Sequence, residues 1–430
     1  MPELKRSLGL AECTLMGVGV MLGAGIYALV GQAAMLAGNA VWLSFLLASL
    51  VASCTGLSYA ELSSFIPKAG GEYYYASRAL GGLVAFLVSW LLVIGIAIAA
   101  AAVALGFAGY LNALIETNLI WSASLLVVAC TGLLIYGIQQ SAWVAGVCTA
   151  LELVGLAVVI AVGAPKLGTV NYLETAPDGF SGVLSAGALV FFAYIGFEEI
   201  VQLSEETRDA TRNIPRAILY SIAITTVLYV LVAASAVSVV GWQRLGSSES
   251  PLADVAAIAL GHRAFIGLSI IALFSTGNTV LILIMSAARL LYGMAEDGKM
   301  PHCLAAIHKS RHSPYMATLA VATMSVLIIV ALKNISVVAN LTNFALLAAF
   351  VIINAAVVVL RFREPSTHRP FRVPGNIGRL PLIPLLGIIT SLFLLAFVGW
   401  TAILMGLSLC LLGLVINMFP IRRSDTSSFR

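Results

Sequence analysis

Two stretches in apolar surroundings, Gly23-Ala24-Gly25-Ile26-Tyr27 and Phe192-Ala193-Tyr194-Ile195-Gly196-Phe197, contain residues that hold a helix poorly. A helix interrupted there leaves backbone groups unpaired, which a membrane tolerates only where that backbone lines a cavity or is satisfied inside the protein. If a helix resumes at Ala24, the N–H groups of Ala24, Gly25 and Ile26 lack partners in their own helix and suit a carboxylate. The carbonyls that close the preceding half-helices, those of Leu22, Phe192, Ala193 and Ile195, suit an ammonium group. An anion pole beside a cation pole is complementary to a zwitterion such as a free amino acid. Phe192 and Tyr194 can lie over such a ligand as lids, although an aromatic in such a run is more commonly core. Gly19 and Gly23 also form a GxxxG pair, which by itself is read as close helix packing.

Three carboxyls and a set of hydroxyls lie at comparable depth. Glu152 is well inside an apolar run and shares a helical face with Cys148, Gly155 and Val159. A charged residue at that depth costs on the order of 2.5–3.5 kcal/mol on insertion scales, so a function or a hydrogen-bond partner is the default expectation. A protonated, structurally satisfied Glu is the alternative. Glu198 and Glu199 fit best if their helix restarts at Glu198, where the N-terminal dipole favours negative charge. Ser275, Thr276, Asn278 and Thr279 cluster near the middle of another run. Hydroxyls there either bond back to their own helix carbonyls or coordinate an ion.

The chain that positions these groups has 430 residues, 60% hydrophobic and 10% charged, with a mean hydropathy of +1.03. That is the composition of a polytopic membrane protein. Windows of about 20 apolar residues, the length needed to cross the hydrocarbon core, predict twelve spans with both termini in the cytoplasm. With that layout all 23 Lys and Arg except Lys166, Arg244, Arg263 and Lys333 fall on the inner side, as the positive-inside rule requires. The net charge of +4 therefore reflects topology and gives no nucleic-acid surface. Cys13, Cys54, Cys130, Cys148, Cys303 and Cys410 are scattered, which indicates neither a disulfide framework nor a zinc site. The run that follows Lys5 and Arg6 is too long and glycine-rich for a signal peptide and is read as the first span.

The spans are expected at about 11–37, 40–65, 80–111, 120–138, 142–162, 181–203, 217–240, 265–296, 315–332 and 337–359, with two more reaching about Met418. After the connection Pro67-Lys68-Ala69-Gly70-Gly71, Tyr73-Tyr74-Tyr75 reads as an interfacial belt. Gln139-Gln140-Ser141 reads as an inner turn, Ser204 to Arg216 as a charged inner segment, Gly246-Ser247-Ser248 as outer loop, and Arg361 to Arg379 as a basic inner loop. The alanine run from Ala97 to Ala104 admits either a neighbouring backbone or a ligand. The breaks fall in spans 1 and 6, five apart. Interrupted helices at corresponding positions of two halves point to an inverted-repeat transporter with a site at the midplane, and an odd number of spans per repeat inverts the second copy. The expected fold is all-α: a first repeat over 1–164, a second over 165–361, and two extra spans with a tail over 362–430.

Three motifs also carry a resemblance: Gly23 to Tyr27; Phe192 to Glu198 followed by Glu205-Glu206 and Asn213-Ile214-Pro215-Arg216; and Ser286-Ala287-Ala288-Arg289 through Asp297-Gly298-Lys299-Met300-Pro301. In register over nearly the whole chain, they resemble the amino acid/polyamine/organocation transporter superfamily, and within it the cationic-amino-acid-transporter-like branch of amino acid permeases. The resemblance implies a five-plus-five inverted repeat with two extra helices and alternating access by rocking of one bundle. It also implies that the substrate carboxylate meets Ala24, Gly25 and Ile26 and its amine the carbonyls of Leu22, Phe192, Ala193 and Ile195. One departure matters. Some proton-coupled relatives carry a lysine on the fifth span facing the first break, and the matching position here is Gly155, with no lysine in that span. Three options follow: a proton carried by Glu152, Glu198 or Glu199; sodium held with help from Ser275, Thr276 or Thr279; or exchange without an ion.

The expected function is secondary active transport of amino acids across the plasma membrane, with no cofactor beyond a coupling H+ or Na+, no resident metal and no evident protein partner. No GxxxxGK[ST] loop is present to support ATP-driven transport by this chain alone. The competing reading is a channel or an intramembrane enzyme using buried carboxylates. An enzyme needs a nucleophile with a partner base, and none of the five histidines falls within a predicted span. A channel would more simply repeat one pore helix than carry two broken ones.

Overall fold

A computed structural model describes residues 8–67, 71–136, 142–204, 206–308 and 313–418. Their helices are α1 (Leu10–Met21), α2 (Ala24–Ala37), α3 (Val41–Phe65), α4 (Gly71–Leu80), α5 (Gly82–Ile115), α6 (Leu119–Tyr136), α7 (Ala142–Gly163), α8 (Gly179–Val190), α9 (Ala210–Val240), α10 (Trp242–Gly246), α11 (Pro251–Leu260), α12 (His262–Glu296), α13 (Tyr315–Leu332), α14 (Ile335–Arg363), α15 (Leu382–Leu395) and α16 (Trp400–Met418). Ten helices among the described residues are long and apolar enough to cross a membrane. The chain is a polytopic helical membrane protein. The expected turn at Gln139-Gln140-Ser141, the connecting residues 68–70, Glu205, and the basic residues Lys5, Arg6, Lys309, Arg311, Arg422, Arg423 and Arg430 lie outside the described residues.

Length and apolarity place the long helices, and small side chains decide how closely they pack. The Ala97–Ala104 run of α5 is fully buried. Ser325 of α13 donates to the Ala97 carbonyl at 2.8 Å, and a Cβ on Gly95 would lie 3.1 Å from Ala345 Cβ of α14. The run therefore serves backbone approach, and α5 becomes the central pillar between α12, α13 and α14.

Several connections are more structured than hydropathy indicates. Tyr73 to Tyr75 belong to α4, where Tyr75 is buried and only Tyr74 is largely exposed, so the expected belt is mostly a packed amphipathic helix. The outer segment around Gly246-Ser247-Ser248 is framed by α10 and α11. The charged segment ends in the first turns of α9, with Pro215 inside the helix. The basic loop contains a two-residue ladder, β1 (Asn376–Ile377) with antiparallel β2 (Leu380–Pro381), and among the described residues an isolated parallel bridge also joins Leu8 to Thr207.

Two units match closely. The ten-residue α4 meets the 34-residue α5 through Gly81 at φ +93, and the ten-residue α11 meets the 35-residue α12 through Gly261 at φ +84. The left-handed φ at each corner favours glycine. The two corners lie at opposite ends of the bundle. Arg78 of α4 pairs with Glu364 after α14, whereas Glu249 before α11 accepts from Asn112 at the far end of α5.

Candidate functional site

The two predicted interruptions are real, and they cross. α1 stops at Met21 and α2 restarts at Ala24, while α8 stops at Val190 and passes through a 3-10 turn (Phe191–Tyr194) and extended Ile195 to Gly196 at φ +119. A Cβ on Gly25 would lie 2.3 Å from Ala193 Cα, and one on Gly196 would lie 2.5 Å from Val20 Cγ1. Backbone therefore meets backbone at Gly25, while Gly196 rests on the Val20 side chain. Tyr229 of α9, which sequence reasoning missed, joins the breaks: its hydroxyl reaches the carbonyls of Met21 and of Ala193, the latter at 2.9 Å. Glu198 folds back so that Oε2 accepts from the Gly196 N–H at 3.0 Å, and the chain beyond it runs as a 3-10 helix to Leu203.

The expected lids are core. Tyr194 is fully buried, donates to the Phe45 carbonyl at 3.1 Å and packs edge-on against Tyr229; Phe192 is also buried. Tyr27 donates to the Glu152 backbone carbonyl at 2.9 Å, and Tyr110 donates to the Tyr27 carbonyl at 2.7 Å, which ties α2 to α7 and α5.

From the opposite direction a cavity of about 520 Å³ rises toward the crossing. Its mouth carries Leu8, Glu206, Asp297 and Lys299; Glu72, Glu199, Ser286 and Arg289 follow; and its end is built from Gly19, Val20, Ser89, Thr149, Gly196 and Asn278. Leu22, Gly25, Ile26, Phe192, Ala193, Tyr194 and Ile195 are packed beyond this end. The sequence thus locates the breaks but places the predicted contacts one layer deeper than the open space.

The amino acid permease family model matches residues 8–429. The chain belongs to the amino acid permease family. It is 34% identical to the branched-chain amino acid permease BcaP of Bacillus subtilis (strain 168), over 98% of this chain and 94% of that one. It is 31% identical to the methylthioribose transporter of the same organism over 93% of this chain and 92% of that one. It is also 32% identical to human cationic amino acid transporter 4, over 88% of this chain and 63% of the relative.

The permease's coupling candidates stand in different surroundings. Thr276 donates to Ala272 O at 2.7 Å and Thr279 to Ser275 O at 3.0 Å, the back-bonding expected of helical hydroxyls. Glu199 accepts from Ser286 at 2.7 and 2.8 Å and faces Arg289. Glu198 is held by Gly196. Glu152 is different: it is 1% exposed, and neither carboxyl oxygen has a hydrogen-bond partner. Gly155 is closely packed, because a Cβ there would lie 2.6 Å from the Tyr27 hydroxyl.

At the end of the bundle where the cavity opens, the permease is strapped by charge. Arg361 of α14 grips Glu61 of α3 through two nitrogens, with Arg369 3.3 Å away on the same carboxylate. The Arg78 guanidinium holds the Glu364 carboxyl below its usual range. On α4, burial pushes the Glu72 carboxyl up to about 7.

Proposed function

We propose that this permease is a secondary transporter that carries neutral amino acids across the plasma membrane by alternating access, with both termini in the cytoplasm. The observation that carries the proposal is a deep cavity that opens at one end and stops at two crossed helix breaks. A site of that form is reached from one side at a time, and movement of the elements around the crossing exchanges the side. In the proposed complex the amides of Ala24, Gly25 and Ile26 receive the carboxylate and the carbonyls of Leu22, Phe192, Ala193 and Ile195 the amine. Leu92, Ile282 and Met285 give the cavity an apolar flank. That flank and the name of the Bacillus permease make leucine, isoleucine and valine the first substrates to try.

The same proposal takes the chain as twelve spans in two inverted repeats of five, over 1–164 and 165–361, plus two further spans. The α4–Gly81–α5 and α11–Gly261–α12 units at opposite ends of the bundle support it, as do the breaks five spans apart. Purified protein in proteoliposomes preloaded with unlabelled amino acids is expected to take up labelled leucine, isoleucine or valine by counterflow. Absence of counterflow across a panel of all twenty amino acids, with none raising the thermal midpoint, would refute it.

A further inference from the structure

Glu152 is the one coupling candidate whose buried carboxyl has no charged group beside it and only the Ser275 hydroxyl within reach. Tyr27 faces it from α2, Tyr229 from α9 and Cys148 from its own helix, while α12 presents the Ser275 hydroxyl. Neither α1 nor α11, the other helices packed on α7, sets a charged group against it, and among the described residues no Lys or Arg faces it. An uncompensated buried carboxylate carries a desolvation cost of several kcal/mol, whereas the neutral acid does not. Thr276 and Thr279 spend their hydroxyls on their own helix, which leaves a metal cation only the Ser275 hydroxyl from α12. A proton is the species this site accommodates.

The layer between that carboxyl and water is thin. Thr149, nearly one turn from Glu152 on α7, lines the end of the cavity together with Gly19 of α1. A Cβ on Gly19 would lie only 2.0 Å from Thr149 Oγ1, so the α1 backbone rests directly on α7 there.

Resting on the reading of the chain as an amino acid transporter, we propose that Glu152 carries the coupling proton. It takes one proton from water on the outer side, holds it while enclosed, and releases it to water in the cytoplasmic cavity when α1 separates from α7, one proton for each substrate. Tyr27 acts as a positioning residue, fixing the backbone carbonyl of Glu152 from the α2 side of the first break.

Labelled leucine and a lumenal pH dye in proteoliposomes test this. For one proton per substrate, a pH gradient of one unit, acid outside, supports about tenfold accumulation in the wild type, because one unit of pH is a factor of ten in proton activity. Glu152→Gln is expected to keep leucine counterflow, which needs no net proton, and to lose both the accumulation and the leucine-induced lumenal acidification. Persistence of either in Glu152→Gln, or pH-independent leucine uptake by the wild type, overturns the proposal. If Glu152→Gln does not fold, Glu152→Asp is expected to keep proton-driven uptake with a displaced pH profile, and an unchanged profile overturns it. A wild type without leucine counterflow contradicts the transport reading itself and is told apart by that assay.

Discussion

Gly25 and Ala193 meet so closely that a single methyl group decides whether the breaks can cross. Gly25→Val is expected to abolish amino acid binding, since overpacking alone costs about 1–3 kcal/mol and here the clash is with backbone. A substrate-induced thermal shift that survives in Gly25→Val would remove these amides from the site. Tyr229→Phe tests the stitch between the breaks: losing a donor to buried carbonyls costs about 1–3 kcal/mol, visible as a lower thermal midpoint and slower counterflow, and no change would show the hydroxyl to be idle. Glu72 gives a pH signature. Its carboxyl is raised from 4.5 to about 7 by burial, so between those values the folded state binds more protons than the unfolded and stability falls as pH rises. Glu72→Gln should flatten that part of the profile of thermal midpoint against pH. At this scale the sequence exposes Gly25 and Glu152, because a glycine pair or an acid is out of place in an apolar run. It hides Tyr229, whose partner carbonyls lie 208 and 36 residues away. It cannot show that Glu152 lacks a charged partner, since that depends on what surrounds it in space.

Elements were legible in proportion to their apolar length. The long helices and both interruptions stand where hydropathy and glycine placed them, because a membrane span is specified by composition over about 20 residues. α4, α10 and α11 were not, since helices of five or ten residues leave no such signature. The charged ends of α3 and α14 also escaped, although Glu61 and Arg361 are 1% and 2% exposed. Arg361→Met leaves the Glu61 carboxylate to Arg369 and the Val373 N–H and should destabilise the protein by about 1–3 kcal/mol, with part of that recovered in the double variant Glu61→Met/Arg361→Met. Thermal unfolding of the single and double variants measures it, and equal, additive losses would mean that the pair does not act as a unit.

The whole molecule faces one way. Counting breaks and basic residues leads to an expectation of two halves and an orientation, but the sequence alone does not say which side is open. The structure opens the end that carries Arg289 and Lys299 and packs the other end around Gly25, Tyr110 and Tyr194. The most direct test places a cysteine in the cavity, Ile282→Cys in a background free of native cysteines, and follows its reaction with a membrane-impermeant thiol reagent applied to either side of oriented vesicles. Labelling from the cytoplasmic side, slowed by leucine, isoleucine or valine, is the predicted result. Labelling that no amino acid alters, or a cysteine reached equally from both sides at once, would contradict a substrate site gated one side at a time.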